Sequence, residues 1–512
     1  MKAKIIGILV TMLLISTAVN AVGNMKNEVI ILPIVKSGVE WEQTYGYDEF
    51  EWIYDIQPTS DGGYIATGVS EEDDMNYGWL LKVDEGGSKQ WDIKNYDFNG
   101  TDESEIFLGC VRETSDGGYI VGGLGWFYST IYDAWIAVGR LWKVNSAGET
   151  IFFKYIGNEL EMWSLIPENI IEIEDGFICG GFLAQYTETE YFQYVALFKT
   201  DLNGELDWKE TYVSGNLDFA RSLWKCDPSH EGYFLSGTTL YNDETDLEAY
   251  YMVKTDNSGE MEWDAIFDGP SWDYSPTMGC HQTPDGGYVM AGISASYGAG
   301  LSDVWIVKTN DTGVMEWDKT YGEENNDRCY GMTPTENGYA FLIIKDAYMY
   351  TGTRDDIWIV ETDYDGNTEW EFLLEKEGIQ WMQSIYQTDD KGFIIGGRTG
   401  AMNNKTSDAL LMKIEPFPHL DVEIKGGLGI KAIITNNGLG DAVDITYEIT
   451  VEGGILDKIN KTDSGNISIS AGESKTISIK PFFGFGSIQV TLNVGFKEVN
   501  TEGMQLILFS FI

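Results

Sequence analysis

The stretches TSDGGYIATG (59–68), TSDGGYIVGG (114–123) and TPDGGYVMAG (283–292) are near-copies of one another. The aromatic residue behind the glycine turn returns at intervals of 51 to 58 residues, at Tyr64, Tyr119, Phe177, Tyr233, Tyr288, Tyr339 and Phe393. Repeats of about this length, rich in glycine, tryptophan and alternating apolar residues, are typical of small four-stranded sheets that bury their faces by stacking on neighbours. The repeat therefore predicts an all-β chain with a seven-bladed β-propeller over residues 38–416.

A second element in each repeat predicts a tight hairpin, as in KTDLNGELDW (199–208). Asp201 can accept hydrogen bonds within the turn and Gly204 can adopt the left-handed conformation that the turn needs. The aromatic residue four positions after this glycine occurs only six times, at Trp91, Phe152, Trp208, Trp263, Trp317 and Trp370. Seven repeats need a seventh copy, and it lies at the N-terminus, because VEWEQTYG (39–46) matches VMEWDKTYG (314–322). We therefore expect the strand of Trp41 to complete the last blade, which removes an open sheet edge.

Two segments outside the repeats predict export and a second domain. Lys2 and Lys4 precede an apolar run that ends in small residues, so residues 1–21 are interpreted as a signal peptide and 22–37 as a linker. An N-terminal membrane anchor is the alternative, although the run is shorter than the ~20 residues that span a bilayer. Residues 418–512 alternate apolar and polar positions between Gly, Asn and Ser, which predicts an immunoglobulin-like β-sandwich. The expected location is secreted or on the cell surface, with no transmembrane helix in the mature chain.

The composition limits the partners. The chain has 82 acidic and 33 basic residues, a formal net charge of −49. Such a charge repels nucleic acid and anionic lipid. The odd number of cysteines, five, leaves at least one thiol unpaired. The three histidines have no GxSxG or HExxH motif nearby, so neither a serine triad nor a zinc protease site is indicated.

The long, varied connections between the second and third strands are the expected functional face, because a rigid scaffold that holds variable loops is the usual basis of a binding site. Aromatic residues and carboxylates coincide there. The predicted ligand-binding residues are Trp126, Tyr128, Tyr132, Tyr186, Tyr191 and Tyr194. Flat rings beside hydrogen-bonding acids suit a glycan, and a protein ligand is equally compatible. A non-enzymatic binding protein is the first interpretation; the alternative is a carbohydrate-active enzyme that uses two carboxylates as acid and base.

An acidic residue recurs near the start of most innermost strands, at Glu49, Glu105, Glu161, Asp218, Asp273 and Asp327, with Gln380 in the seventh repeat. If these side chains point inward, they ring one mouth of the channel and could bind Ca²⁺, which prefers oxygen ligands. The predicted metal ligands are Glu49, Asp218, Asp273 and Asp327. The alternative is that each acid caps the turn that enters its strand.

The motifs TxDGGYxxxG, KTDxxGxxxW and YG over residues 38–415 resemble a family of secreted archaeal and bacterial β-propellers in the quinoprotein-like superfamily, some labelled endoglucanase-like. DxxGxxxW is similar to the tryptophan-docking motif of quinoprotein dehydrogenases, but its turn is one residue shorter and no adjacent cysteine pair is present. The resemblance therefore implies a propeller and transfers no catalytic residue. The segments LGIKAIITNNGLGDA and SISAGESKTISIK resemble adhesion-type immunoglobulin-like modules, which implies a spacer or docking domain.

Overall fold

The structure is a computed structural model. The structure describes residues 38–47, 49–73, 75–95, 104–129, 134–158, 162–186, 191–215, 218–242, 247–275, 279–345, 356–375, 380–400, 407–495, 497–507 and 509–511. The predicted signal peptide (1–21) and linker (22–37) lie outside these ranges. Within the ranges the chain is all-β, with no α-helix and therefore no helix long and apolar enough to cross a membrane.

Antiparallel strands follow one another in groups along residues 39–414, and we number the groups as sheets 1 to 7 in chain order. Sheets 2 and 3 form one continuous eight-stranded sheet, because Trp163 and Ser164 pair with Asn158 and Gly157. The chain begins with β1 (Val39–Tyr45), which belongs to the last sheet. Sheet 1 contains β2 (Glu51–Pro58), β3 (Tyr64–Glu72), β4 (Met75–Val83) and β5 (Lys89–Asn95). Sheet 2 contains β6 (Ser104–Glu113), β7 (Tyr119–Ser129), β8 (Ala134–Val144) and β9 (Thr150–Asn158). Sheet 3 contains β10 (Trp163–Ile173), β11 (Gly176–Tyr186), β12 (Tyr191–Asp201) and β13 (Leu206–Tyr212).

The later sheets repeat this order, except that the first strand of sheet 5 is split. Sheet 4 contains β14 (Asp218–Lys225), β15 (Tyr233–Asn242), β16 (Leu247–Thr255) and β17 (Met261–Phe267). Sheet 5 contains β18 (Asp273–Tyr274), β19 (Cys280–Gln282), β20 (Tyr288–Ser294), β21 (Asp303–Thr309) and β22 (Met315–Tyr321). Sheet 6 contains β23 (Arg328–Pro334), β24 (Gly338–Lys345), β25 (Asp356–Asp363) and β26 (Thr368–Leu374). Sheet 7 contains β27 (Gln380–Gln387), β28 (Phe393–Thr399), β29 (Asp408–Ile414) and β1.

The sheets pack in circular order. Each of seven apolar clusters joins two consecutive sheets, and one of them places Ile53 of sheet 1 against Ile394 and Leu411 of sheet 7. The predicted closure is confirmed, because β1 pairs antiparallel with β29 and Trp41 lies opposite Lys413. The result is a β-propeller-like ring, in which the first strand of each sheet lies innermost.

The DGG turn that defines the repeat is held by its own aspartate. In sheet 1, Asp61 accepts hydrogen bonds from the Thr59 hydroxyl (2.6 Å) and the Gly63 N–H (3.0 Å). Gly62 has φ 85°, which only glycine adopts at low cost. Buried Lys82 on β4 binds the same carboxylate at 3.0 Å, and Lys143, Lys308 and Lys413 bind their turn aspartates in the same way. The turn is thereby tied to the third strand of its own sheet.

These lysine–aspartate pairs predict a stability loss in acid. Burial opposes ionisation, but hydrogen bonds from Lys143, Thr114 and Gly118 lower the pKa of Asp116 to about 2. Because this folded-state pKa lies below the unfolded value, the pair stabilises the protein above about pH 4, and the contribution disappears as the pH falls through 2. We expect Asp116→Asn to cost about 1 kcal/mol at pH 7. Melting curves of the variant and the native protein should converge near pH 2; an equal difference at both pH values would contradict this.

The aromatic residue of each outer strand, a tryptophan except for Phe152 in sheet 2, packs against the next sheet. Trp41, Trp91 and Trp317, for example, contact the turn glycines Gly87, Gly148 and Gly366 so closely that a side chain there would meet the indole ring. Sheet 7 has no such hairpin turn to receive Trp370, because the repeat ends after β29. Phe417 packs there instead, with its ring centroid 6.2 Å from that of Trp370 and 5.2 Å from that of Phe393.

Residues 420–511 form two further sheets that face each other across an apolar core. One contains β30 (Leu420–Lys425), β32 (Ile430–Asn436) and β35 (Ser474–Ile479). The other contains β31 (Gly427–Leu428), β33 (Ala442–Gly453), β34 (Ile459–Ile469), β36 (Gly484–Val494), β37 (Lys497–Ile507) and β38 (Phe509–Phe511). Their core is continuous with that of sheets 6 and 7 through Phe417, so residues 416–418 form a packed junction.

Candidate functional site

The innermost strands share one irregularity that positions the candidate site. In six sheets a β-bulge inserts one extra residue into the innermost strand at the same place. A bulge re-aims a side chain and is common beside functional sites. The inserted residues are Tyr54, Gly109, Glu168, Arg221, Tyr330 and Gln383.

In five of these six sheets the last glycine of TxDGGYxxxG lies opposite the bulge, and in sheet 6 Ile343 takes its place. A Cβ atom on Gly68 would lie 1.9 Å from the Trp52 carbonyl oxygen, and one on Gly123 would lie 2.2 Å from that of Phe107. Because such distances are impossible, any other residue would push the innermost strand away from the second strand. The glycine thus permits the close backbone approach at which the strand bulges.

All six inserted residues line one cavity of about 600 Å³ at the centre of the ring. The residues two positions earlier in four of the strands, Trp52, Phe107, Arg328 and Trp381, line it as well. Trp272, Tyr274 and Glu248 complete much of the remaining wall. The volume lies in the range of small-molecule and short oligosaccharide sites.

One side of the cavity is an arc of four aromatic rings from sheets 6, 7 and 1. The ring centroids of Tyr330 and Trp381 are 5.1 Å apart, those of Trp381 and Trp52 are 6.2 Å apart, and those of Trp52 and Tyr54 are 4.9 Å apart. The buried indole N–H groups of Trp52 and Trp381 find no acceptor among the described residues. The arc therefore lines this side of the cavity with aromatic surface, on which a ligand can pack.

The opposite side carries charge from sheets 3 and 4. The Arg221 guanidinium lies 3.7 Å from the Glu168 carboxylate and over the Tyr274 ring at 6.0 Å. Burial raises the pKa of Glu168, an effect that Arg221 opposes. Burial likewise raises the pKa of Glu248, again opposed by Arg221. The cavity thus combines aromatic faces with two carboxylates that protonate more readily than exposed ones.

The predicted metal ligands lie apart from this cavity. Asp218 accepts hydrogen bonds from the Ser214 and Gly215 N–H groups at 2.8 and 3.0 Å, and from the Thr239 hydroxyl at 2.5 Å. Asp327 accepts from the Glu323 N–H in the turn before its strand. Asp273 accepts from the Gly269 backbone before its strand and from the Ser296 hydroxyl that follows β20. Within the described ranges no three His, Cys, Asp or Glu side chains are grouped so that they could hold a metal ion. The capping role therefore accounts for these three acids, and a Ca²⁺ site stays a prediction.

In sheet 1 the capping role belongs to Glu51 rather than Glu49. Glu51 lies two residues before the bulge pair, as Asp218 does, and its carboxylate accepts from the Ser70 hydroxyl at 2.8 Å. Glu49 precedes β2, and its backbone oxygen accepts from Ser407. Glu105 lies on β6, Gln380 begins β27, and Glu161 lies outside the described residues.

The predicted aromatic ligand residues do not line the cavity either. Tyr186 and Tyr191 form a cross-strand pair on β11 and β12 with ring centroids 5.0 Å apart, and Tyr194 stacks on Phe192 at 6.1 Å. Trp126 lies half-buried on β7 opposite Glu105. For Tyr128 the structure describes only the backbone, on β7, and Tyr132 lies outside the described residues. Sheet 3 thus has an aromatic cluster of its own, separate from the aromatic arc of the cavity.

The cavity residues were missed because the bulge is not visible in an alignment of repeats. Their side chains are chemically unrelated, since the same position holds Tyr54, Gly109, Glu168 and Arg221. The signal that could have found them is the glycine at the end of TxDGGYxxxG, because glycine inside a strand marks a bulge or a close backbone approach.

No protein-family model matches the chain, and no curated protein matches it. Solved structures give distant likenesses. Sqt1 from Chaetomium thermophilum has a TM-score of 0.35 and 10% identity, covering 73% of this chain and 100% of that one. A β-1,2-mannobiose phosphorylase from Listeria innocua has a TM-score of 0.28 and 12% identity, covering 61% and 92%. A GH32 β-fructofuranosidase from Bombyx mori has a TM-score of 0.25 and 11% identity, covering 79% and 87%.

Proposed function

We propose that this chain is an exported, non-enzymatic binding protein whose carbohydrate ligand enters the cavity at the centre of the ring. The proposal interprets the ring as a seven-bladed β-propeller of the secreted family and residues 418–512 as an immunoglobulin-like domain. The observation that carries it is the arc of Tyr330, Trp381, Trp52 and Tyr54, whose ring faces are suited to the apolar face of a sugar. Hydrogen-bond partners for sugar hydroxyls lie opposite, at Glu168 and Arg221.

Replacing the central ring of the arc tests this function. We expect Trp381→Ala to weaken glycan binding at least about tenfold, because the ligand loses aromatic surface at the centre of the arc. The measurement is a glycan array, followed by calorimetry with the glycan that binds best.

Tyr191→Ala is the matched control, because Tyr191 is an exposed aromatic residue of the predicted loop site, outside the cavity. It should bind as the native protein does. If Tyr191→Ala abolishes binding and Trp381→Ala does not, the ligand binds at the β11–β12 connection. A native protein that binds no glycan, but binds a protein through the same cavity, would overturn the choice of ligand.

A carbohydrate-active enzyme is the second candidate, and one observation favours it. Glu168 and Glu248 line the same cavity, burial raises the pKa of both, and Arg221 is charged beside both. A carboxyl group with a raised pKa is suited to act as the general acid in glycoside hydrolysis, while a second carboxylate acts as base or nucleophile.

If the protein hydrolyses glycosides, Glu168→Gln should lower turnover by about 10²–10⁴-fold while the ligand still binds, because the amide cannot donate the proton. Release of reducing sugar measures turnover. Glu210→Gln on the outer strand β13 is the control and should retain full activity. If the native protein binds glycan but releases no reducing sugar, the enzyme is excluded and the non-enzymatic binding protein remains.

A further inference from the structure

The end of the C-terminal sheets that lies away from Phe417 brings three chain connections together. They join β30 to β32, β33 to β34, and β35 to β36. Ile430 pairs with Ile479, and the Gly454 N–H donates to the Ser487 oxygen at 2.6 Å, so all three lie at the same end. Gly438 and Gly440 are at the opposite end, where they approach the backbone of residues 416–419.

These connections expose large apolar side chains. Their exposed fractions range from 44% to 79%, and the residues are Leu428, Ile455, Leu456, Phe483 and Phe485. We call these five residues the apolar tip. Single exposed apolar residues are ordinary, but several at one end of a domain indicate an interaction surface.

The backbone holds the most exposed of these leucines in an unfavourable conformation. Leu456 has φ 60° and ψ 34°, a left-handed conformation that is rare for a bulky residue. Strain of this kind persists where the surrounding structure imposes it, and it clusters at functional positions. The strained backbone at Leu456 therefore supports a functional role for its exposed side chain.

The surroundings of the apolar tip are more basic than the chain as a whole. Residues 423–431, 452–461, 478–489 and the paired segment 500–507 contain five lysines and four acids, whereas the chain has 33 basic and 82 acidic residues. The lysines are Lys425, Lys431, Lys458, Lys461 and Lys480. One of them, Lys425, is paired with Glu423 at 2.7 Å. Exposed leucine and phenylalanine surrounded by lysine is the pattern of a surface that lies on a membrane.

We propose that the apolar tip docks on the surface of a lipid bilayer, with its five side chains in the headgroup region and the lysines against anionic headgroups. The negative charge of the rest of the protein does not prevent this docking. β34 and β36 have 11 residues each, or about 35 Å of strand, which separates the tip from the acidic ring. That separation exceeds the Debye length of about 8 Å at physiological salt. A dimer through two apolar tips is less favourable than membrane docking. Its two-fold axis would bring the same lysines of both copies together, and their positive charges would repel each other.

A local fluorescent probe tests the proposal in the full-length chain. All five native cysteines are buried, so a single introduced thiol can be labelled selectively. Leu456→Cys would carry an environment-sensitive dye, and Leu439→Cys is the control, because Leu439 is 60% exposed at the opposite end. The probes are vesicles of phosphatidylcholine alone and vesicles with added phosphatidylglycerol. A dye at the tip reports tip insertion independently of any binding through the N-terminal apolar run.

We expect a blue shift of the dye at position 456 with vesicles that contain phosphatidylglycerol, a smaller one with phosphatidylcholine alone, and none at position 439. Adding Phe483→Asp should weaken vesicle binding of the labelled protein about tenfold or more, because the aspartate opposes entry into the headgroup region. Three results would overturn the proposal: no shift with either vesicle, equal shifts at both positions, or a shift that grows with protein concentration in the absence of vesicles. The last would identify the tip as a contact between copies of the chain.

Discussion

Deletion of residues 38–46 is expected to abolish cooperative unfolding and to cause aggregation. Without β1, strand β29 loses one of its two antiparallel partners, and the backbone groups that now pair with residues 39–45 face solvent. The deletion also removes Trp41 from the Gly87 turn of sheet 1, where the indole closes the contact between the first and last sheets. Calorimetry and light scattering during heating measure the two effects.

A deletion that stops at residue 37 is the matched control, because it leaves β1 intact. It should melt as the full-length chain does. The milder variant Trp41→Ala keeps the strand and should cost about 2 kcal/mol, since only the contact with sheet 1 is lost. If the 38–46 deletion melts in one sharp transition at the native temperature, closure by β1 contributes nothing to stability.

Phe417→Ala is expected to lower the free energy of unfolding by about 3–5 kcal/mol, the usual cost of removing a buried phenylalanine. Its ring lies among Trp370, Phe372 and Phe393, at centroid distances of 5.2 to 6.3 Å. No other side chain of the described residues can replace it, because sheet 7 lacks the hairpin turn that receives the tryptophan in other sheets. Calorimetry should show a second, earlier transition as the C-terminal sheets separate from the ring.

Phe417→Leu is the control, because it keeps most of the buried volume and should cost about 1 kcal/mol. Limited proteolysis gives an independent measure: cleavage near residues 416–419 should accelerate in the alanine variant and stay slow in the leucine variant. Equal stability of the alanine variant and the native protein would mean that the apolar junction does not hold the two parts together.

Features that depend on local chemistry were predicted correctly. The DGG turn, the tryptophan four residues after the hairpin glycine and the N-terminal match VEWEQTYG each repeat the same residues for the same physical reason. Their repetition was enough to predict an all-β repeat fold and the pairing of Trp41's strand with the last repeat. The sequence did not reveal that Phe417 is buried at the end of the ring, because its neighbours come from two different repeats.

The site was harder to predict because it depends on register. Glu49 and Asp273 both lie 12 residues before the aspartate of their DGG turns, so spacing alone makes them equivalent. Sheet 5, however, has a split first strand, β18 and β19, which lengthens its spacing relative to sheet 1. The equivalent of Asp273 is therefore Glu51. A shift of two residues keeps the same face of the strand but changes which acid lies opposite Ser70, and the bulge at Tyr54 changes which side chains face the centre.

The bulge separates the positions that maintain the fold from those that line the cavity, where we propose that a ligand binds. Gly68 and its counterparts fix the backbone, whereas the inserted residue opposite can be tyrosine, glycine, glutamate, arginine or glutamine without loss of the ring. Ligand preference can thus evolve by single substitutions at six sites that share a scaffold, with little penalty to folding. A library randomised at these six positions is a rational starting point for engineering new specificities.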